Sequence, residues 1–119
     1  METTNNNGGH MESTLVKEER ASLIAAKNDS FRTGGLMVMM TVGVRGMNDV
    51  AGLLRAVREF SQFSEDNDPH KEHDFGQLTW EGQKVFWKID YYDGSFERWC
   101  DPLSSFCHRV MTVMLADEY

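Results

Sequence analysis

Residues 65–74 hold the densest set of side chains that could do chemistry. The ten residues include two imidazoles, at His70 and His73, and five carboxylates, which are Glu65, Asp66, Asp68, Glu72 and Asp74. Carboxylates suit hard cations, and histidine with carboxylate suits first-row metals. However, the glycine and glutamate positions of a calcium loop are not met, and Pro69 opposes a helix that would align the histidines. The alternative is a capped turn, in which Asp and Asn side chains accept from nearby backbone N–H groups.

A second polar set lies in residues 87–93. Strand alternation places Lys88, Asp90 and Tyr92 on one face. A Lys–Asp neighbourhood could tune a proton-transfer group, or it could form a cross-strand ion pair on an exposed face. With Phe86 this face would also suit a protein partner, because aromatic residues are frequent interface anchors. We therefore predict that both polar segments bind a partner, through Glu65, Asp66, Asp68, Glu72, Asp74, Lys88, Asp90, Tyr92 and Asp93.

No segment marks a nucleophile or a cofactor site. The chain has no G-x-S-x-G elbow, phosphate loop or dinucleotide fingerprint, and Asp74-Phe75-Gly76 matches a kinase tripeptide without the other kinase motifs. Cys100 and Cys107 are the two cysteines, and their spacing fits neither a redox nor a zinc motif. We predict two reduced thiols, no catalytic residue, no metal ligand and no cofactor.

The charge balance limits the classes of partner. The 12 Lys and Arg residues against 19 Asp and Glu give a net charge of −7. Direct binding of nucleic acid or an anionic membrane needs a cationic surface, so a basic protein partner fits better. No apolar run approaches the ~18 residues of a membrane helix, and no signal peptide is evident, so we expect a cytoplasmic protein.

The hydrophobic pattern predicts a single α+β domain over residues 12–119, after a flexible tail at 1–11. The expected elements are a helix over 13–29, a strand over 36–44, a helix to about Phe63 capped by Asn48 or Asp49, a hairpin of strands 75–81 and 83–92, and a strand over 108–116. The order α-β-α-β-β-β predicts an antiparallel sheet of about four strands with two helices packed on one face.

Three stretches also carry a resemblance to a known family. They are Glu65-Asp66-Asn67-Asp68-Pro69 with Glu72-His73-Asp74-Phe75-Gly76, then Trp87-Lys88-Ile89-Asp90-Tyr91-Tyr92-Asp93, and Arg109-Val110-Met111-Thr112-Val113-Met114-Leu115-Ala116-Asp117-Glu118-Tyr119. Together they resemble a small proteobacterial domain family of unknown function, from about Leu23 to Tyr119. The resemblance implies short cytosolic proteins often encoded on plasmids and integrative elements, and it brings no catalytic residue. The loop 96–106 departs from the Pro- and Asp-rich stretch of that family.

Three hypotheses for function follow. The first is a non-enzymatic inhibitor of a host defence protein, of the anti-CRISPR or anti-restriction type, which binds through an acidic surface. The second is a small metal-dependent hydrolase that uses His70, His73, Asp74, Asp90 and Lys88. The third is a domain that self-associates as a homodimer through its methionine-rich strand. A carboxylate-rich loop without a recognisable nucleophile favours the first hypothesis.

Overall fold

The computed structural model describes residues 6–34 and 37–119, with side chains from residue 16 onward. Its elements in chain order are α1 (Asn6–Gly34), β1 (Val38–Met40), α2 (Val42–Arg45), α3 (Val50–Arg58), β2 (Phe75–Trp80), β3 (Gln83–Tyr92), β4 (His108–Leu115) and a 3-10 turn (Ala116–Glu118). The predicted α+β class is confirmed. Of the predicted tail 1–11, residues 1–5 lie outside the described part of the chain, and residues 6–11 belong to α1, which is longer at both ends than the helix predicted over 13–29.

The sheet has four strands in the order β1-β4-β3-β2. The pairs β2/β3 and β3/β4 are antiparallel, and the hairpin between β2 and β3 turns at Glu81 and Gly82 as expected. The fourth strand differs, because β1 pairs with β4 in parallel, with Val38 opposite Met111. The sheet is therefore mixed, since the chain leaves β1 through two helices and a hairpin before β4 returns beside it.

The core lies between one sheet face, called here the inner face, and the helices. Along β3 the alternate residues Val85, Trp87, Ile89 and Tyr91 are buried, and Met111 and Val113 join them from β4. The helices cover these residues with Ile24, Val44, Leu53 and Val57. The prediction that the helices pack on one face is confirmed.

The second predicted helix begins where its cap predicted and ends early. The side chain of Asp49 accepts from the backbone N–H of Gly52 at 2.9 Å, which stabilises the first turn of α3. The helix ends at Arg58 rather than near Phe63. Beyond it, Phe60 turns into the core, and its carbonyl accepts from the buried guanidinium of Arg32 at 3.0 Å.

The strand predicted for residues 36–44 is mostly wrong. Only 38–40 form a strand, 42–45 form α2, and 36 lies outside the described residues. The last sheet bond runs from the N–H of Thr41 to the carbonyl of Val113, and Glu118 then accepts from the N–H of Gly43 at 2.9 Å. The Glu118 carboxylate stabilises the first turn of α2, which the alternation of apolar residues did not predict.

Among the helices of the described residues, none combines the length and apolarity that crossing a bilayer requires.

Candidate protein-binding surface

The acidic segment 65–74 folds as a capped turn built around Asp68. The Asp68 side chain is only 6% exposed, and its carboxylate accepts from the backbone N–H groups of Glu72 and His73 at 3.2 and 3.3 Å. Asn67 accepts from the N–H of Ser64 at 2.9 Å. Asp68 is therefore occupied in shaping the turn, and it is not on the surface where a partner would meet it.

His73 holds this turn against α1. Its ring stacks on Phe63 with centroids 3.9 Å apart, and its Nδ1 lies 3.0 Å from Oδ1 of Asp29. Its Nε2 lies 3.6 Å from Asp68. His70 is exposed and takes no part in this cluster. Both histidines nevertheless line one open cavity of about 570 Å³ between the acidic turn and α1.

Glu72 and Asp74 are half-buried on the inner side of the sheet. Asp74 accepts a hydrogen bond from the hydroxyl of Tyr91 at 3.3 Å. Burial raises the pKa of Asp74, and burial together with the neighbouring Asp74 raises the pKa of Glu72. Of the five carboxylates of this segment, only Glu65 and Asp66 belong to exposed residues.

A buried polar network, missed by our sequence reasoning, joins α1 to the sheet. Asn28 is fully buried, donates to Tyr91 and to the backbone carbonyl of Glu72 at 2.8 Å each, and accepts from Nε of Arg109 at 2.6 Å. Arg32 is 3% exposed, and its guanidinium lies 5.0 Å from the centroid of the Trp87 ring. Ile24, Asn28 and Arg32 recur every fourth residue, so the helical period could have shown that they share the inward face.

The outer face of the sheet carries the second predicted set. Nζ of Lys88 lies 2.9 Å from Oδ2 of Asp90, and each side chain is more than a third exposed. The pair lies along one strand, so the cross-strand pairing considered from the sequence is wrong. The hydrogen bond to Asp90 raises the pKa of Lys88. Asp93 follows at the end of β3, where the Ser95 hydroxyl donates to it and lowers its pKa.

Apolar side chains surround this ion pair on the same face. On one side Phe75, Phe86 and Tyr119 meet with ring centroids 5.2 to 6.2 Å apart. On the other, the rings of Tyr92, Phe96 and His108 meet. A shallow depression of about 510 Å³ lies beside the second group, lined by Met37, Met39, Met40, Thr41, Tyr92, Phe96, Val110 and Thr112. Met37 and Met39 are 44% and 59% exposed.

The sheet separates the two polar sets. Asp74 bonds Tyr91 on the inner face, whereas Lys88 and Asp90 project from the outer face. The five residues of the hydrolase hypothesis therefore do not converge in one pocket. In the part of the chain that the structure describes, no group of three or more His, Cys, Asp or Glu side chains is arranged to hold a metal ion.

Comparison with known protein families finds a match over about two thirds of the chain. A family model described as a protein of unknown function (DUF3768) matches residues 39–118. The matched segment runs from β1 to the 3-10 turn, and it includes the acidic turn and all three antiparallel strands. No curated protein and no solved structure matches the chain.

Proposed function

Since the chain belongs to the DUF3768 family of proteins of unknown function, we propose from its geometry that it is a non-enzymatic protein that binds and inhibits another protein. We propose two contact regions, the outer face of the sheet and, separated from it, the exposed carboxylates Glu65 and Asp66 of the acidic turn.

The observation that carries this proposal is the uncovered outer face. Helices α1, α2 and α3 contribute to the core on the inner face, and among the described residues only the C-terminal turn and the loop after β3 reach the outer one. The face combines exposed methionines, aromatic rings and a charged pair. Flexible thioethers beside aromatic rings are typical of adaptable protein-binding surfaces.

Charge indicates the kind of partner. The chain carries a net charge of −7. Glu65, Asp66 and Glu97 are exposed carboxylates, and Asp93 stands at the rim of the outer face. A basic protein would gain both faster association and a fixed orientation from such a surface. Proteins that bind nucleic acid carry basic surfaces, so they are partners to which these carboxylates are complementary.

The partner that we propose is a CRISPR or restriction component of the host. The resemblance of the three sequence motifs to proteins of plasmids and integrative elements supports this choice. Carboxylates presented to a nucleic-acid-binding protein would occupy the sites at which it binds phosphates.

Contact rather than catalysis is supported by the separation of the polar groups. A general acid or base must lie within hydrogen-bonding reach of its substrate and its helpers. On the inner side, His73 contacts Asp29 and Asp68, and Asp74 accepts from Tyr91. On the outer face, Asp90 pairs with Lys88, so the sheet separates this pair from His73 and Asp74.

The experiment is an affinity capture from a bacterial lysate with active CRISPR and restriction systems, read by mass spectrometry. The wild-type chain is compared with Met39→Lys, which places a charge on the outer face, and with Glu65→Lys/Asp66→Lys. Leu23→Lys is the matched control, because Leu23 is 58% exposed on α1 and Met39 is 59% exposed. Asp68 is left unchanged, since its substitution would disturb the turn.

We expect a near-stoichiometric defence subunit with the wild-type chain and with Leu23→Lys, and a strong loss with Met39→Lys. Capture that survives both Met39→Lys and Glu65→Lys/Asp66→Lys would exclude this surface. If no defence subunit is captured by any of the folded proteins, the proposal of a defence inhibitor is wrong for the systems present in the lysate.

A further inference from the structure

Strand β2 lies at the edge of the sheet, and one side of its backbone is free. The N–H of Ile89 donates to the carbonyl of Asp74 at 2.8 Å, which fixes the hydrogen-bonding phase of the β2/β3 ladder. Because this phase alternates, Gly76, Leu78 and Trp80 bond towards β3, whereas the backbone groups of residues 75, 77 and 79 point away from the sheet. Within the described ranges, no hydrogen bond reaches these outward groups.

The sequence of β2 leaves this edge unguarded. Residues Phe75–Trp80 contain no charged residue and no proline, which are the usual devices that stop an edge strand from pairing. Leu78 and Trp80 remain only half-buried on the inner side, although they pack against the core. Gln77 and Thr79 are exposed on the outer side. The edge thus offers both backbone groups and side-chain surface to another strand.

We propose that β2 pairs antiparallel with β2 of a second copy of this chain, about a two-fold axis at Gln77. In this register Gln77 faces Gln77 of the other copy, and Phe75 faces Thr79 of the other copy on either side. Every outward backbone group of residues 75, 77 and 79 then finds a partner. The two sheets of four strands become one continuous sheet.

Self-pairing suits this edge better than pairing with a basic peptide. The chain has a net charge of −7, but β2 contains no charged residue. Two copies can therefore pair through β2 without placing like charges opposite each other. A basic strand would find no carboxylate within β2 to pair with. The tight turn at Glu81 and Gly82, with φ of 51° and 76°, keeps the end of the hairpin compact.

The arrangement has a consequence for binding. Antiparallel addition at β2 keeps the outer faces of both copies on one side of the joined sheet, so the dimer presents two copies of the aromatic and methionine surface. Two linked surfaces would bind a repeated or dimeric partner more tightly than one. The pairing itself does not depend on what the outer face binds.

The test is the mass of the full chain in solution, by light scattering and sedimentation over a wide range of concentrations. We expect the wild-type chain to form a dimer as its concentration rises. Gln77→Pro removes an N–H that points away from β3, so it keeps the β2/β3 ladder and deletes two hydrogen bonds of the dimer. The dimer should weaken roughly tenfold to a hundredfold, whereas Gln77→Thr, which keeps the N–H, should leave the dimer unchanged.

A charge-swap pair tests the two-fold axis without relying on proline. Gln77→Lys and Gln77→Glu each place like charges across the axis, so each variant alone should be largely monomeric. An equimolar mixture of the two should form a heterodimer. A wild-type chain that stays monomeric at its highest soluble concentration would overturn the proposal, as would a dimer that neither charge variant weakens.

Discussion

The side-chain amide of Asn28 in α1 donates to the hydroxyl of Tyr91 in β3 at 2.8 Å, and both residues are buried. Burial raises the pKa of Tyr91, so the hydroxyl stays protonated and in turn donates to Asp74. The chain of bonds from helix to strand to acidic turn fixes α1 on the sheet. A buried polar network of this kind is favourable only while every member keeps its partner.

We predict that Asn28→Ala destabilises the fold by about 2–4 kcal/mol, because it removes three hydrogen bonds at once, those to the Tyr91 hydroxyl, the Glu72 carbonyl and Nε of Arg109. Urea unfolding measures this loss. Lys27→Ala in the same helix is the control, since Lys27 is exposed and its truncation should change stability by less than about 0.5 kcal/mol. Equal stabilities for the two variants would show that the network contributes nothing.

A second prediction concerns Gly76, which faces the buried indole of Trp87. A Cβ at position 76 would stand 2.7 Å from Cζ2 of Trp87, and the indole is held by Phe60 and Phe63 with centroids 5.5 and 6.1 Å away. Gly76→Ala should therefore destabilise the fold by about 1–3 kcal/mol through overpacking. Gly94→Ala is the matched control, because a Cβ there meets nothing within 4 Å. A thermal melt that does not separate the two variants would refute the close packing.

A third prediction concerns the pH dependence of stability. Burial raises the pKa of Asp74 above its ordinary value of 3.8, so the folded state binds this proton more tightly than the unfolded state. Its contribution to stability is therefore complete below pH 3.8 and declines as the pH rises through the raised pKa. Asp74→Asn removes the decline, because an amide oxygen still accepts from Tyr91 and carries no charge to desolvate.

We expect Asp74→Asn to be more stable than the wild-type chain at neutral pH and to lose this advantage as the pH falls towards 3.8. The same change should lower the pKa of Glu72, since the charge of Asp74 is one cause of its rise. Urea midpoints across pH and NMR titration of the Glu72 carboxyl measure both effects. Glu65→Gln removes an exposed carboxylate of the same segment and should show neither effect. A lower stability of Asp74→Asn at neutral pH would contradict the prediction.

Periodic sequence patterns predicted the elements that local sequence is sufficient to specify. The 3.6-residue pattern with an Asp49 cap gave the start of α3, and the alternation around a Glu81-Gly82 turn gave both strands of the hairpin. The three motifs indicated a family of unknown function, and the match to residues 39–118 confirms that part of the resemblance. The plasmid setting, the cytoplasmic location and the defence target stay predictions.

Long-range contacts decided the rest. The sequence by itself determined an α+β domain with a net charge of −7 and an amphipathic β3, because alternation and charge are written in local order. Only the tertiary structure placed Asp68 inside its turn, set Asn28 against Tyr91, and separated Lys88 and Asp90 from Asp74 by the sheet. It also ended β1 at Met40, where Glu118 binds the N–H of Gly43 from 75 residues along the chain. A hydrogen bond over that separation depends on how the elements pack, and nothing in the order of neighbouring residues specifies it.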